Sequence, residues 1–217
     1  MSALPRPRPL PVVLEGRYVR LEPLSLAHAE GLYRAASEPQ RFDFLFDLPP
    51  ADLADMRGWI ERGMKSEEYL FHAVVDRADG EARGRQALMR IVPEHGVIEI
   101  GNILWGPAIA RTRVATEAFY LAARYVFDDL GYRRFEWKCN DRNGPSKAAA
   151  LRFGFTSEGV FRQHMWVKGA NRDSAWFSII DHDWPAIRAA FERWLDPANF
   201  DSLGKQRSRL AAAHCIR

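Results

Sequence analysis

Along the first hundred residues the apolar positions switch between a period of two and a spacing of three and four. Tyr18, Val19, Arg20, Leu21 and Glu22 alternate as a half-buried strand should, and Pro23 stops the run. Ser25 stands where it can cap a helix that carries Leu26, Ala29, Leu32, Tyr33 and Ala36 on one side and ends before Pro39. Leu53, Met56, Trp59, Ile60 and Met64 mark a second helix. Between these helices, residues 38–50 form an aromatic-rich loop (Phe42, Phe44, Leu45, Phe46) that fits either a core edge or a pocket wall. Residues 69–76 and 85–92 read as antiparallel strands joined across Arg77-Ala78-Asp79-Gly80, where Asp-Gly supplies the turn.

From residue 98 the pattern becomes more specific. An apolar strand (Ile98 to Trp105) is broken by Gly106-Pro107 and followed by a basic turn, Ala110-Arg111-Thr112-Arg113. Pro107 has no N–H for a ladder, so pairing must end near it. A helix then carries Ala118, Leu121, Ala122, Tyr125 and Val126 on one stripe, with Gly131 beyond its end. A second strand, Phe135 to Asn140, leads to Asn143-Gly144-Pro145-Ser146 and a short helix closing on Gly154-Phe155. Residues 156–161 and 174–180 give two more strands, linked across Lys168-Gly169-Ala170-Asn171-Arg172. Asp183 and Pro185 open a last helix with Ile187, Phe191, Trp194 and Leu195 on its buried face. The expected class is α+β, a single domain with a mixed sheet of about seven strands flanked by helices.

Several of these residues have chemistry to offer. The helix that starts at Val114-Ala115-Thr116 presents unpaired N–H groups and the positive end of its dipole, and Arg111 and Arg113 add full charges just upstream. A pyrophosphate placed there would accept several charge-assisted bonds; an ordinary exposed helix start with solvated arginines has the same sequence. Glu99 lies inside an apolar strand, where a carboxylate needs a reason. It is either a cross-strand partner of an arginine such as Arg90 or a buried base whose pKa is raised toward the working pH. His72, His95 and His164 are its rivals, each better read as structural or surface. Asn143 and Ser146 can cap or enter the helix at Pro145.

Bulk properties narrow the classes. At 217 residues and 47% apolar the chain fills one core, and a net charge of +3 with a pI near 9.0 is too mild and too interleaved for a nucleic-acid binder. Cys139 and Cys215 give neither a disulfide framework nor a metal spacing, as expected of reduced thiols in a cytoplasmic protein. No apolar run approaches the ~20 residues of a spanning helix. The Pro- and Arg-rich arm of residues 1–13 lacks the apolar stretch of a secretory signal and reads as extended and disordered. Residues 14–195 form the domain, and residues 196–217 a basic, loosely held tail.

The arrangement over residues 98–155 resembles the acyl-coenzyme A site of the GNAT superfamily of N-acetyltransferases, most closely its ribosomal-protein (Rim-type) branch, and the likeness extends over residues 14–182. The resemblance implies acetyl-CoA as co-substrate, no metal, and an amine acceptor that is a protein N-terminus or a small molecule. Neither nucleic acid nor a membrane is expected as a partner on charge and hydropathy, and a homodimer is left open. Ile103, Leu104 and Trp105 would hold the pantetheine arm through a strand that splays from its neighbour. Arg111, Thr112, Arg113, Val114, Ala115 and Thr116 would take the diphosphate, and Asn143 and Ser146 would border the cofactor. Glu99, expected to share a face with Gly101 and Ile103, would be the general base. Two departures stand out. Ala110, Arg113 and Ala115 occupy the family's Gln/Arg-x-x-Gly-x-Gly/Ala positions, so arginine replaces the middle glycine. Ala150 stands at the tyrosine that usually protonates the thiolate, leaving Tyr120, Tyr125 or Ser146 as substitutes. A non-catalytic acyl-CoA sensor on the same fold, or a nucleic-acid-associated protein using the basic arm and tail, are the other classes.

Overall fold

The computed structural model describes residues 4–212. Among them are β1 (Leu14–Glu15), β2 (Val19–Pro23), α1 (Ala29–Ala35), α2 (Leu53–Met64), β3 (Tyr69–Asp76), β4 (Ala82–Val92) and β5 (Val97–Trp105). There follow α3 (Arg113–Arg124), β6 (Arg134–Asn140), α4 (Gly144–Arg152), β7 (Thr156–Val167), β8 (Ala170–Ile180) and α5 (Trp184–Leu195). The strands form one sheet in the order β1-β2-β3-β4-β5-β6-β8-β7. Every pair is antiparallel except β5 with β6, which are joined through α3 and run parallel. The sheet thus has eight strands against about seven expected; the extra one is the two-residue β1, too short to show a period. At the other edge, β7 runs six residues past the expected end and β8 begins four residues early. A left-handed residue, Gln163 at φ +50°, and a register shift between Phe161 and Met165 break the alternation that would have shown it.

Alternation in the strands separates two cores. Val74, Leu88, Ile98, Ile100 and Phe135 pack with α3 and α5 on one face, and Ala73, Val75, Ala87 and Leu104 pack with α1 and α2 on the other. Leu104 should by parity lie with Ile98 and Ile100. It does not, because β5 carries a bulge: Arg85 pairs with Leu104 but Ala87 with Gly101, and Asn102 sits at φ +49°. The bulge turns Ile103 toward the α3 face, whereas Glu99 and Gly101 precede it. The expectation that Glu99 and Ile103 share a face is therefore wrong, and the cause is one inserted residue.

The arm expected to be disordered lies against the domain over residues 4–13. Arg6 N donates to Pro93 O (3.0 Å), Tyr132 Oη to Pro7 O (3.1 Å) and Leu10 N to Tyr125 Oη (2.9 Å). Burial pushes the His72 imidazole down to about 4, so it stays neutral and its Nε2 donates to Val12 O at 3.2 Å. The tail also folds back over its described residues, 196–212. Phe200, Leu210 and Ala212 are buried, and Trp194 Nε1 reaches Gln206 Oε1 at 2.9 Å. Composition described these segments as polar and basic, but a few apolar anchors are enough to pin them. Cys215 lies outside the described residues.

One buried carboxylate ties α3 to the first strands. Glu117 accepts from the amides of Arg17 (2.8 Å), Tyr18 (2.5 Å) and Val19 (3.0 Å). Gly16 is required beside it, since a Cβ there would fall 2.6 Å from the Glu117 carboxyl carbon. Glu117→Ala leaves three amides without an acceptor and should cost about 2–4 kcal/mol in urea denaturation. A loss under about 0.5 kcal/mol would mean that water replaces the carboxylate freely.

Candidate active site

β5 and β6 pair only from Val97–Arg134 to Ile100–Trp137. Beyond that point β6 continues with β8, and the edge of β5 from Gly101 to Trp105 that faced β6 has no strand partner. The expected splay is thus present, and it opens beside the bulge. Trp105 O accepts from Arg41 Nη1 at 3.2 Å, which closes the far end of that edge. Fully buried Arg85 braces the bulge from beneath: its guanidinium donates to Asn102 Oδ1 and to Asp47 Oδ2 (2.7 Å) and lies 3.8 Å from the Trp59 ring centroid. The same contact anchors the loop that carries Phe44, Leu45 and Phe46.

The opening leads into a pocket whose wall includes Glu99, Lys138, Asn143, Ser146, His164 and Arg172, with Phe44 and Phe46 above. The aromatic loop serves both roles left open for it: Phe42 is buried in the α1–α2 core, and its neighbours line the pocket. Glu99 is buried, and burial pushes its carboxyl above the usual carboxylate range against the opposing pull of Lys138 and Arg90. Lys138 Nζ sits 2.8 Å from Glu99 Oε2 and 2.7 Å from Glu136 Oε2, and 3.8 Å from the Trp176 ring centroid. Arg90 Nε lies 3.5 Å from Glu99 Oε2. Glu99 is thus both paired with Arg90 and buried with a raised carboxyl pKa, and its second oxygen, Oε1, is the one turned toward Gly101.

At the end of β6, Asn143 Oδ1 caps α4 by accepting from Ser146 N at 3.0 Å. Ser146 Oγ accepts from Trp137 Nε1 at 2.9 Å and bonds to the Cys139 thiol, which burial nonetheless raises. Of the three substitutes for the missing tyrosine, only Ser146 lines the pocket. Tyr120 Oη donates to Glu192 (3.1 Å), and Tyr125 Oη is held by the arm. Ala150 is fully buried in the core, so no larger side chain fits there without repacking. Among the described histidines, His164 alone lines the pocket; His95 is exposed in a turn, and His72 holds the arm.

The basic turn is built differently from its sequence pattern. Thr112 is the N-cap of α3, its Oγ1 accepting from Val114 N at 3.2 Å. The other first-turn amides, at Arg113 and Ala115, have no intrahelical acceptor. Thr116 Oγ1 donates to Thr112 O (2.9 Å) and accepts from Arg152 Nη1 (3.1 Å), which brings a half-buried guanidinium to the turn. The left-handed residue is Arg111, at φ +67° and exposed, not the arginine at the glycine position. Arg113 instead turns away, its guanidinium 4.4 Å from the Tyr18 ring centroid and 5.3 Å from that of Phe200. As a side-chain ligand for phosphate Arg113 is thus already engaged, and only its amide remains free for that purpose.

Lys138, Arg152 and Arg172 were missed as site residues. Lys138 could have been found as a charge inside a strand, by the argument applied to Glu99. Arg172 could not, because it read as part of the linker before β8. Among the described residues no group of three or more His, Cys, Asp or Glu could hold a metal ion, and no helix is long and apolar enough to cross a membrane.

A family model described as the acetyltransferase (GNAT) domain matches residues 19–156. The structure superposes on a GCN5-related N-acetyltransferase from Brucella melitensis with a TM-score of 0.94 and 55% identity, covering 96% of each chain. A probable GNAT-family acetyltransferase from Chromobacterium violaceum gives 0.78 at 36% identity, over 83% of this chain and 91% of that one. The probable N-acetyltransferase YjcK of Bacillus subtilis is 28% identical over 182 residues, 79% of this chain and 98% of its own. On the parted strands, the capped helix start and these matches together, the chain belongs to the GNAT acetyltransferase family.

Proposed function

We propose that the protein transfers an acetyl group from acetyl-CoA to a primary amine by direct attack. The observation that carries this reading is the parting of β5 from β6 after Ile100, with the free amides of α3 at one side and the Glu99 pocket at the other. The diphosphate would lie on the free first-turn amides of Arg113 and Ala115, with Arg111 and Arg152 supplying positive charge. The pantetheine would run along the free edge at Ile103, Leu104 and Trp105 and past Asn143 and Ser146. A backbone N–H near Leu104 would face the thioester oxygen and stabilise its growing charge.

In the chemical step the amine nitrogen bonds to the acetyl carbon, and the C–S bond breaks with its electron pair leaving on sulfur. Glu99, through Oε1, takes the proton that the nitrogen loses. The thiolate is protonated by Ser146 or by solvent. A coenzyme A thiolate is a far better leaving group than an amide anion, so the alanine at position 150 does not forbid transfer.

Release of coenzyme A thiol, followed with a thiol reagent across an amine panel, tests the activity; silence across the panel would favour an acyl-CoA sensor. Glu99→Gln should lower kcat by about 10²–10⁴ near neutral pH, and the loss should shrink where the amine arrives already neutral. Activity requires the ionised carboxylate, so in the parent it falls as pH drops through a Glu99 pKa displaced above the ordinary 4.5. A variant profile that overlays the parent's would remove Glu99 from the mechanism.

The two arginines of the turn should separate in calorimetric titration with coenzyme A. Arg111→Ala should weaken binding by about 1–3 kcal/mol with little change in stability. Arg113→Ala should chiefly lower stability, by about 0.5–2 kcal/mol, as its stack on Tyr18 and Phe200 is lost. Unchanged affinity in the double variant would show that the diphosphate lies elsewhere.

A further inference from the structure

The pocket wall has a charge imbalance that acetyl transfer to a simple amine does not use. Four cations line it: Arg41, Arg90, Lys138 and Arg172. Arg41 pairs with Glu38 at 2.7 Å, Arg90 with Glu99 at 3.5 Å, and Lys138 with Glu99 and Glu136. Arg172 has no carboxylate within ion-pair distance among the described residues, although it is only 8% exposed. A guanidinium keeps its charge in a protein, so an isolated buried one calls for an anion. Burial chiefly pulls its pKa down, and Arg90 adds to that, against the opposing pull of Cys139 and the more distant Glu99.

Its orientation is fixed. Arg172 Nε donates to Ser174 Oγ at 3.2 Å, Ser174 is fully buried, and the same hydroxyl meets His164 Nδ1 at 2.9 Å. The Phe46 ring centroid lies 5.1 Å from the guanidinium carbon. With Nε held, the two terminal nitrogens make the fork that suits a planar carboxylate. This part of the sheet is also the one without an apolar cover. α1 and α2 lie over β3 and β4, whereas β6 and β8 present Lys138, Asn140, Arg172 and Ser174 to the pocket.

We infer that Arg172 receives a carboxylate of the acceptor, so that the acceptor is a small amino acid-like molecule carrying its amine and its carboxylate on one short skeleton. The inference rests on the amine-acetylation reading, because Glu99 and Arg172 then face the two ends of one molecule across one pocket. Phe44 and Phe46 give that molecule an apolar contact.

The test uses the whole protein with acetyl-CoA and the twenty proteinogenic amino acids, each beside its C-terminal amide. For the best acceptor, kcat/KM should favour the acid over the amide by about tenfold to a hundredfold, the worth of a charge-assisted pair. Arg172→Met should erase that preference and Arg172→Lys should keep part of it. The parent's acid-to-amide ratio needs no variant, so a misfolded R172M would not spoil the result. Equal use of acids and amides would overturn the inference, as would a preference that survives in folded R172M. So would an amidated peptide with a free N-terminus acetylated as fast as any amino acid, or 2-aminoethyl phosphate preferred over every carboxylate. Calorimetric binding of the same acids to the protein loaded with coenzyme A separates the two readings. Acids that bind through Arg172 without being acetylated would sink acetyl transfer alone. Acetylation without discrimination would sink the carboxylate site alone, and neither binding nor transfer would sink both.

Discussion

Two parallel strands that pair for four residues and then part create a problem that the rest of this structure answers. A buried strand edge with unsatisfied N–H and C=O groups is costly, and folded chains almost always pair such groups. Here the edge of β5 beyond Ile100 is left to water or a ligand, and the supports around it keep it open. The Asn102 bulge bends β5 away from β6, and Arg85 holds the bulge by its side chain. Arg41 takes the carbonyl of Trp105, where the open edge ends. Phe119, stacked on Phe153 with ring centroids 4.4 Å apart, joins α3 to the end of α4 on the far face. The gap is therefore set by packing on both sides of the sheet.

At the point where the strands part lies a cluster of charges, and it fixes what Glu99 can do. Glu99 and Glu136 stand opposite each other across the parallel pair, and two carboxylates so placed would repel. Lys138 sits between them and bonds both, while Arg134 Nε holds Glu136 from the other side at 2.7 Å. Such networks seldom exceed apolar packing in net stability, because desolvation offsets the attraction. Their effect here is positional. Lys138 occupies one oxygen of Glu99 and leaves the other, so the carboxylate is held in one orientation. The same lysine opposes the rise in pKa that burial causes.

How far the site could be read from the sequence follows from the range of each interaction. Local signals were legible: the period of the helices, the Asp-Gly turn whose Gly80 does adopt φ +74°, the Pro107 break, and the motif from residue 98 to residue 155. Glu99 could be singled out because a charge in an apolar strand is visible without coordinates. What was hidden came from single residues that shift a register. The bulge at Asn102 moved Ile103 to the other face, and Gln163 concealed half of the β7–β8 hairpin and with it Arg172. Arg113 was read as a phosphate ligand because charge next to a helix start looks the same whether or not Tyr18 and Phe200 wait to stack on it. Those aromatic partners lie about a hundred residues away along the chain in both directions, beyond any local pattern.

The rearranged turn also explains how arginine fits at position 113, where the resemblance leads one to expect glycine. Glycine at that place allows a close approach of the backbone and, where needed, a left-handed conformation. In this chain the left-handed residue is Arg111, two positions earlier, so position 113 needs no special dihedral. The remaining requirement is that its side chain stay clear of the helix start. Tyr18 on one flank and Phe200 on the other provide an apolar slot for the guanidinium, and Gly204 lies across it. Tyr18 belongs to the segment whose amides Glu117 captures, and Phe200 belongs to the tail pinned by Trp194. The departure at position 113 is thus accommodated by residues from both ends of the domain, which hold the Arg113 side chain away from the free amides of the helix start.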